Sequence, residues 1–111
     1  MVTAELALAL PLLLAVTTGL AWLLAVGVAQ VRVVDAARET ARAAARGDTQ
    51  DRAVELGRRI APDGAEVEVA SSGGAVTVTA SALVEGPGGL FDFLPAVRVH
   101  AEAVAAAEPV P

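Results

Sequence analysis

An uncharged apolar run near the N-terminus constrains this chain more than any other feature. The run extends from Leu6 to Ala29, 24 residues without Lys, Arg, Asp or Glu. As a helix it would be about 36 Å long, more than the roughly 30 Å of hydrocarbon in a bilayer. A chain of 111 residues is too small to bury such a helix on all sides. The run therefore predicts a transmembrane helix, which we assign to residues 1–29.

Two features of this run bear on the packing of the helix. Pro11 has no N–H, so it is expected to kink the first turns or to leave one carbonyl unpaired. Ala21, Ala25 and Ala29 recur every fourth residue and form a smooth strip. Such a strip lets a second helix approach closely in lipid. An Ala-rich segment also produces this spacing by composition alone, so both interpretations stay open.

A cleaved secretory signal is an alternative for this segment. Such signals have a basic start and an apolar core of about 7–15 residues. Residues 1–4 contain no Lys or Arg, and the apolar run is longer than that core. The sequence from Gly27 to Ala29 resembles a small-residue cleavage site, so release of a soluble domain of about 80 residues is a less favoured hypothesis.

The helix is predicted to continue as an amphipathic extension over residues 30–47. This part is rich in Ala and has no Pro. Charged side chains recur at a spacing of three and four and predict one stripe, formed by Arg32, Asp35, Glu39, Arg42 and Arg46. The predicted apolar face consists of Val34, Ala37, Ala41 and Ala44 or Ala45. Gly47 is the expected C-cap, which gives one helix of about 44 residues.

The Arg residues of this extension have two interpretations. Pairs at a spacing of three, Asp35 with Arg38 and Glu39 with Arg42, favour a solvated face with ion pairs of a few tenths of a kcal/mol each. Binding to anionic lipid is the second interpretation, and we favour the solvated face.

Residues 48–111 predict a small α+β head. Asp48 or Thr49 is expected to cap a helix over residues 50–61, which Pro62 ends. Its predicted apolar face consists of Ala53, Leu56, Gly57 and Ile60. Strict alternation predicts three strands with one buried and one exposed face, around residues 65–69, 76–81 and 97–103. The fold class is therefore α+β: a long N-terminal transmembrane and amphipathic helix, a short second helix and a three-stranded antiparallel sheet.

The two connections between the strands differ. Gly73-Gly74 predicts a tight hairpin turn. The second connection has a Gly-rich loop, residues 85–89, and then an apolar cluster, residues 90–94, which holds both Phe residues. We expect this cluster to fold over an edge of the sheet. An exposed tip that touches the membrane or a partner is the alternative.

Composition argues against most catalytic and nucleic-acid-binding classes. The chain has no Cys, one His and a net charge of −5. A zinc site would have almost no ligands, and a nucleic-acid surface would need clustered basic charge. No nucleophile–base motif or phosphate-binding loop is present in the sequence. We therefore expect no catalytic residues, no metal, no cofactor and no nucleic-acid partner.

Glu5 is exceptional because it places a carboxylate at the start of a membrane helix. The amine of Met1 lies four residues away, in the same chain or in a neighbouring one. A pair between the two groups would stabilise the carboxylate in hydrocarbon and fix the axial register of helices packed side by side. Alternatively, Glu5 lies in the interface and interacts favourably with the N-terminal end of the helix dipole.

Residues 2–13 resemble the start of TadE-like proteins, the minor pilins or pseudopilins of tight-adherence (Tad, or Flp-type) type IV pili. The resemblance lies in Glu5 followed six residues later by Pro11 in an apolar helix. The Ala-Arg repeat of residues 35–47 is also similar. The resemblance implies a single-pass component of pilus assembly in the cytoplasmic membrane, associated with the pilus, with its C-terminal head extracytoplasmic. Its implied partners are the lipid bilayer, other pilins or pseudopilins and pilus assembly proteins.

The resemblance also implies processing by a prepilin peptidase. Cleavage after a Gly would leave Glu5 as the fifth mature residue, so we expect a short basic leader ending in Gly before Met1. The Arg residues after the span would by themselves favour a cytoplasmic head, and a basic leader would remove that conflict. The alternative function is a bitopic membrane protein whose small extracytoplasmic head binds an envelope partner.

Overall fold

A computed structural model describes residues 2–87 and 93–107 of the chain. Its elements are α1 (Val2–Ala45), α2 (Gln50–Ile60), β1 (Glu66–Ser72), β2 (Ala75–Val84) and β3 (Val97–Ala106). The strands form one antiparallel sheet in the order β1-β2-β3. The predicted α+β class, with a long helix, a short helix and a three-stranded antiparallel sheet, is confirmed.

Helix α1 is continuous over 44 residues and passes through Pro11. It ends at Ala45, and the predicted capping residue Gly47 follows with a φ of 103°. The N–H of Gly47 donates to the Ala44 carbonyl at 3.2 Å, and the N–H of Asp48 donates to the Ala43 carbonyl at 3.1 Å. This pair of hydrogen bonds is a Schellman motif, which requires a left-handed residue that Gly supplies at little cost.

Helix α2 runs back along α1 in the opposite direction. Of the two predicted capping residues, Thr49 is the N-cap of α2. Its Oγ1 accepts a hydrogen bond from the N–H of Arg52 at 3.3 Å. The helix lies so close to α1 that Gly57 faces the side chain of Thr40, which is fully buried. Ala53 and Gly57 are buried on the predicted face, while Leu56 and Ile60 are half-buried.

The sheet shows the predicted alternation. Its first hairpin has a two-residue turn in which Gly73 and Gly74 have φ of 58° and 80°. Positive φ at both positions is the requirement of a type I′ turn, which matches the twist of the flanking strands. The inward residues of all three strands pack together in the core: Val67, Val76, Val78, Ala80, Ala82 and Val99.

The buried surface of α1 is wider than the single apolar face that the sequence predicted. Ala37 and Ala41 are buried as expected, but Val34 and Ala44 are only half-buried. The additional buried positions are Ala29, Val33, Ala36, Thr40 and Ala43. The reason is that α1 is covered on two sides, by the sheet and by α2.

The close approach of α1 and α2 makes Gly57→Ala a test of the helix packing. A Cβ at Gly57 would collide with Thr40 Oγ1 and would lie 3.3 Å from Val67 Cγ1. We expect a loss of about 1–3 kcal/mol of unfolding free energy from overpacking. In a Thr40→Ala background the loss should shrink or reverse, because Ala favours a helix by up to ~1 kcal/mol over Gly. Denaturant titration in detergent of the original chain, the two single variants and the double variant measures the coupling energy between positions 40 and 57.

Gly27→Ala is the matched control, because a Cβ at Gly27 would meet no atom within 4 Å. It should leave stability unchanged or slightly raised. If Gly57→Ala lowered the unfolding free energy equally in the original chain and in the Thr40→Ala variant, the packing described here would be contradicted.

The contribution of α1 to the head is tested by truncation. A chain that begins at residue 30 keeps Val33, Ala36 and Ala37 against the sheet, whereas a chain that begins at residue 48 exposes the inner face of the sheet to water. The apolar residues of that face are mostly Val and Ala, which bury little area each. We expect the shorter chain to unfold at a clearly lower temperature or not to fold, as measured by circular dichroism. Equal midpoints would refute this.

Candidate membrane and assembly surface

The N-terminal half of α1 presents large apolar side chains to the outside. Leu8 and Leu24 are 78% and 71% exposed, and eight more lie between Leu6 and Leu23: Leu6, Leu10, Leu12, Leu13, Leu14, Val16, Leu20 and Leu23. The molecule measures 80 × 20 × 17 Å because this half extends away from the head. Among the described residues, α1 is the one helix whose length and apolar composition suit a membrane crossing. The helix therefore supports single-pass membrane anchoring.

One hydroxyl of the apolar run is satisfied within the helix itself. Thr18 Oγ1 donates to the Leu14 carbonyl at 2.8 Å, one turn earlier in α1. The hydroxyl thus needs no partner from water, which a bilayer core lacks. Pro11 lies inside the helix, and its predicted kink stays a prediction.

Glu5 lies in the first turn of α1, and its residue is exposed. Its predicted partner, the amine of Met1, lies outside the described residues. In α1 alone the carboxylate is close to the N–H groups that begin a helix, which favours a negative charge there. An exposed carboxylate at the end of a lipid-facing helix is accessible to a neighbouring chain, so pairing with the amine of a second subunit stays a prediction.

The predicted strip of Ala21, Ala25 and Ala29 differs in exposure along its length. Ala21 and Ala25 are exposed, whereas Ala29 is 6% exposed and belongs to the core of the head. The part of the strip that another helix can reach therefore consists of Ala21 and Ala25. Helix packing through it stays a prediction.

Two side chains tie α1 to the head just beyond the apolar run. Gln30 Nε2 donates to the His100 carbonyl at 3.2 Å. The Arg32 guanidinium donates from Nε to the Ile60 carbonyl and from Nη2 to the Ala61 carbonyl, both at 3.1 Å. A cation placed on the last carbonyls of α2 also interacts favourably with the dipole of that helix.

The role of Arg32 differs from the solvated stripe that the sequence predicted. No local pattern could reveal it, because Arg32 and the end of α2 are 28 residues apart. Farther along α1, Arg42 pairs with Glu39 at 3.3 Å as expected, and Arg46 pairs with Asp48 at 3.1 Å. The expected Asp35–Arg38 pair is not formed. Exposed pairs of this kind contribute at most about 1 kcal/mol each. This face of α1 therefore stays solvated, and its ion pairs add little to the stability of the fold.

Within residues 2–87 and 93–107 no three His, Asp or Glu side chains lie close enough to hold an ion. His100 is exposed on the outer face of β3, as the alternation predicted. Among the described residues, the large exposed apolar side chains lie mainly on α1 and at the end of the head beside it.

Comparison with known proteins supports the family resemblance. The family described as TadE-like protein matches residues 1–42. A Mycobacterium tuberculosis protein named Apoptosis inhibitor Rv3655c is 42% identical over 80 residues, which cover 72% of this chain and 58% of that protein. The chain thus spans less than two thirds of the length of this relative. No solved structure is significantly similar to the chain.

The family match includes Glu5, Pro11 and most of the Ala-Arg repeat, the features on which the resemblance was based. It also coincides with α1, which ends three residues later. The chain is therefore TadE-like over residues 1–42, and with its long apolar helix it fits a component of Tad pili.

Proposed function

We propose that the chain is a TadE-like minor pilin or pseudopilin, a single-pass membrane component of Tad pilus assembly. The observation that carries the proposal is the form of α1, whose first half is exposed and apolar and whose second half is the core of the head. A helix of this kind can pack side by side with others in a membrane or a filament and hold a head at its end. TadE-like proteins are pilus components rather than a family of enzymes, in keeping with the absence of catalytic motifs in the sequence.

The head is proposed to be extracytoplasmic, with α1 inserted in the cytoplasmic membrane. Arg32 is engaged with the end of α2, and Arg42 and Arg46 are paired with carboxylates. Arginines after the span favour a cytoplasmic head whether or not they are paired, so the extracytoplasmic position rests on the proposed basic leader before Met1. Prepilin peptidase, other pilins and pilus assembly proteins are the proposed partners.

A second candidate is a bitopic protein whose head binds an envelope partner. The similarity to the mycobacterial relative covers more residues than the family match, so it extends into the head. The name of that relative describes inhibition of apoptosis and does not mention a pilus. The pilus proposal is preferred because the TadE-like match lies on the helix that assembly would use.

Glu5→Gln tests the assembly role. It keeps the shape and polarity of the side chain and removes the charge. If the Glu5 carboxylate neutralises the amine of a neighbouring subunit, the variant leaves a buried unpaired cation, which costs about 3–5 kcal/mol. Association should then weaken by roughly a hundred-fold or more, at about 1.4 kcal/mol per tenfold. We expect normal membrane abundance, loss of crosslinks to pilus proteins and fewer pili on cells.

The controls separate pairing from helix capping. Loss of a favourable dipole interaction alone would cost about 0.3–1 kcal/mol and would hardly change pilus number. Glu5→Asp keeps the charge on a shorter side chain and should be partly defective. Normal pilus number with Glu5→Gln at matched abundance would contradict charge pairing and favour the bitopic alternative.

A further inference from the structure

The end of the head nearest the membrane can be located from the direction of β3. Gln30 of α1 donates a hydrogen bond to the His100 carbonyl of β3. Farther along α1, Arg42 lines a cleft together with Ala105 of β3. The step from residue 30 to 42 is about 18 Å of helix, and the step from residue 100 to 105 is about 17 Å of strand. The two elements therefore run in the same direction, and residues before His100 lie toward the membrane end of α1.

This direction sets the level of the last residues of the head. Val97 lies three residues before His100, about 10 Å closer to the membrane, which is level with about Leu23 of α1. Val84 pairs with Val97, so the end of β2 lies at the same level. A bilayer core takes about 20 helical residues, so a span that begins at Leu6 ends near residue 25. This end of the head therefore reaches the depth of the bilayer surface.

Several large apolar side chains at this end are exposed. We call them the membrane-side tip: Leu83, Phe93, Leu94 and Val97, which are 66%, 79%, 40% and 36% exposed. Phe93 and Leu94 lie within four residues of Val97 along the chain. Exposure of several large apolar side chains at one end of a small head is typical of an interaction surface rather than of a free solvated one.

Charged groups beside the tip limit how deeply it can enter a bilayer. Asp63 and Arg98 line a cleft of about 310 Å³ together with Leu83, and Glu85 follows the end of β2. Carboxylates resist transfer into hydrocarbon but tolerate the headgroup region, where apolar side chains can enter by about 5–10 Å. Two of these three charges are negative, so anionic lipid is not favoured.

We propose that the membrane-side tip is a lipid-binding surface that rests in the headgroup region of the bilayer crossed by α1. This inference rests on the membrane anchoring in the proposed function. Lipid is the partner because the tip lies beside the exposed apolar half of α1, at the level where the span leaves the hydrocarbon. The contact is apolar, so it holds on zwitterionic lipid. It fixes the orientation of the head relative to the membrane.

Site-specific labels on the full chain test this contact. The chain has no Cys, so each single-Cys variant carries one reactive thiol. Leu83→Cys and Phe93→Cys report on the tip, and Leu24→Cys reports on the span. Val104→Cys is the matched control, because Val104 is 64% exposed on the same strand as Val97 but about 23 Å farther along it. Each variant is labelled with a fluorophore and reconstituted in phosphatidylcholine vesicles with or without a spin-labelled quencher lipid.

The proposal expects quencher lipid to reduce fluorescence at positions 24, 83 and 93 and to leave position 104 unchanged. Added phosphatidylserine or salt should not alter these losses. Loss at position 24 without loss at 83 and 93 would overturn the tip contact and leave the membrane anchoring intact. No loss at position 24 would overturn both, because α1 would then not cross the bilayer beside the tip.

Discussion

The structure depends on the contact between the small side chains of α1 and the inner face of the sheet. Val33, Ala36 and Ala37 on the helix and Val78 and Ala80 on the sheet are almost completely buried. Each of these side chains contributes little, at about 0.8 kcal/mol per buried CH₂ group. The head therefore needs many such contacts along several turns of one helix. The short helix α2 cannot replace them, because its two fully buried residues are Ala and Gly.

Because the head packs on α1, we expect the membrane segment and the head to move together as one rigid body. The helix has no break between the exposed Leu24 and the buried Val33. Just beyond the apolar run, the hydrogen bonds of Gln30 and Arg32 hold β3 and α2 against the helix. Any displacement or tilt of the helix in the membrane is therefore passed to the head. This property suits a subunit whose head position must follow the packing of its helix.

Features set by local sequence could be predicted, and features set by distant contacts could not. Gly47, Thr49 and Gly73-Gly74 act on their own neighbours, and the strand alternation fixes which side chains face inward. The second buried side of α1 and the role of Arg32 were missed, because both depend on where α2 packs. The cluster of residues 90–94 was expected to fold over an edge of the sheet; residues 90–92 lie outside the described residues, and the exposure of Phe93, at 79%, favours the alternative of an exposed tip. The candidate assembly residues Glu5, Ala21 and Ala25 came from the sequence, and all three are exposed, where a neighbouring chain can reach them.

Amide hydrogen exchange of the full chain in lipid nanodiscs tests the central claim, that one unbroken helix is both the membrane anchor and the core of the head. We predict that the amides from Leu24 to Val33 exchange slowly, at rates close to those of Ala36 to Ala41 in the core. Fast exchange within Leu24–Val33, at rates close to those of the connection after Gly47, would reveal a hinge. That result would contradict the account, because the head would then move independently of the membrane helix.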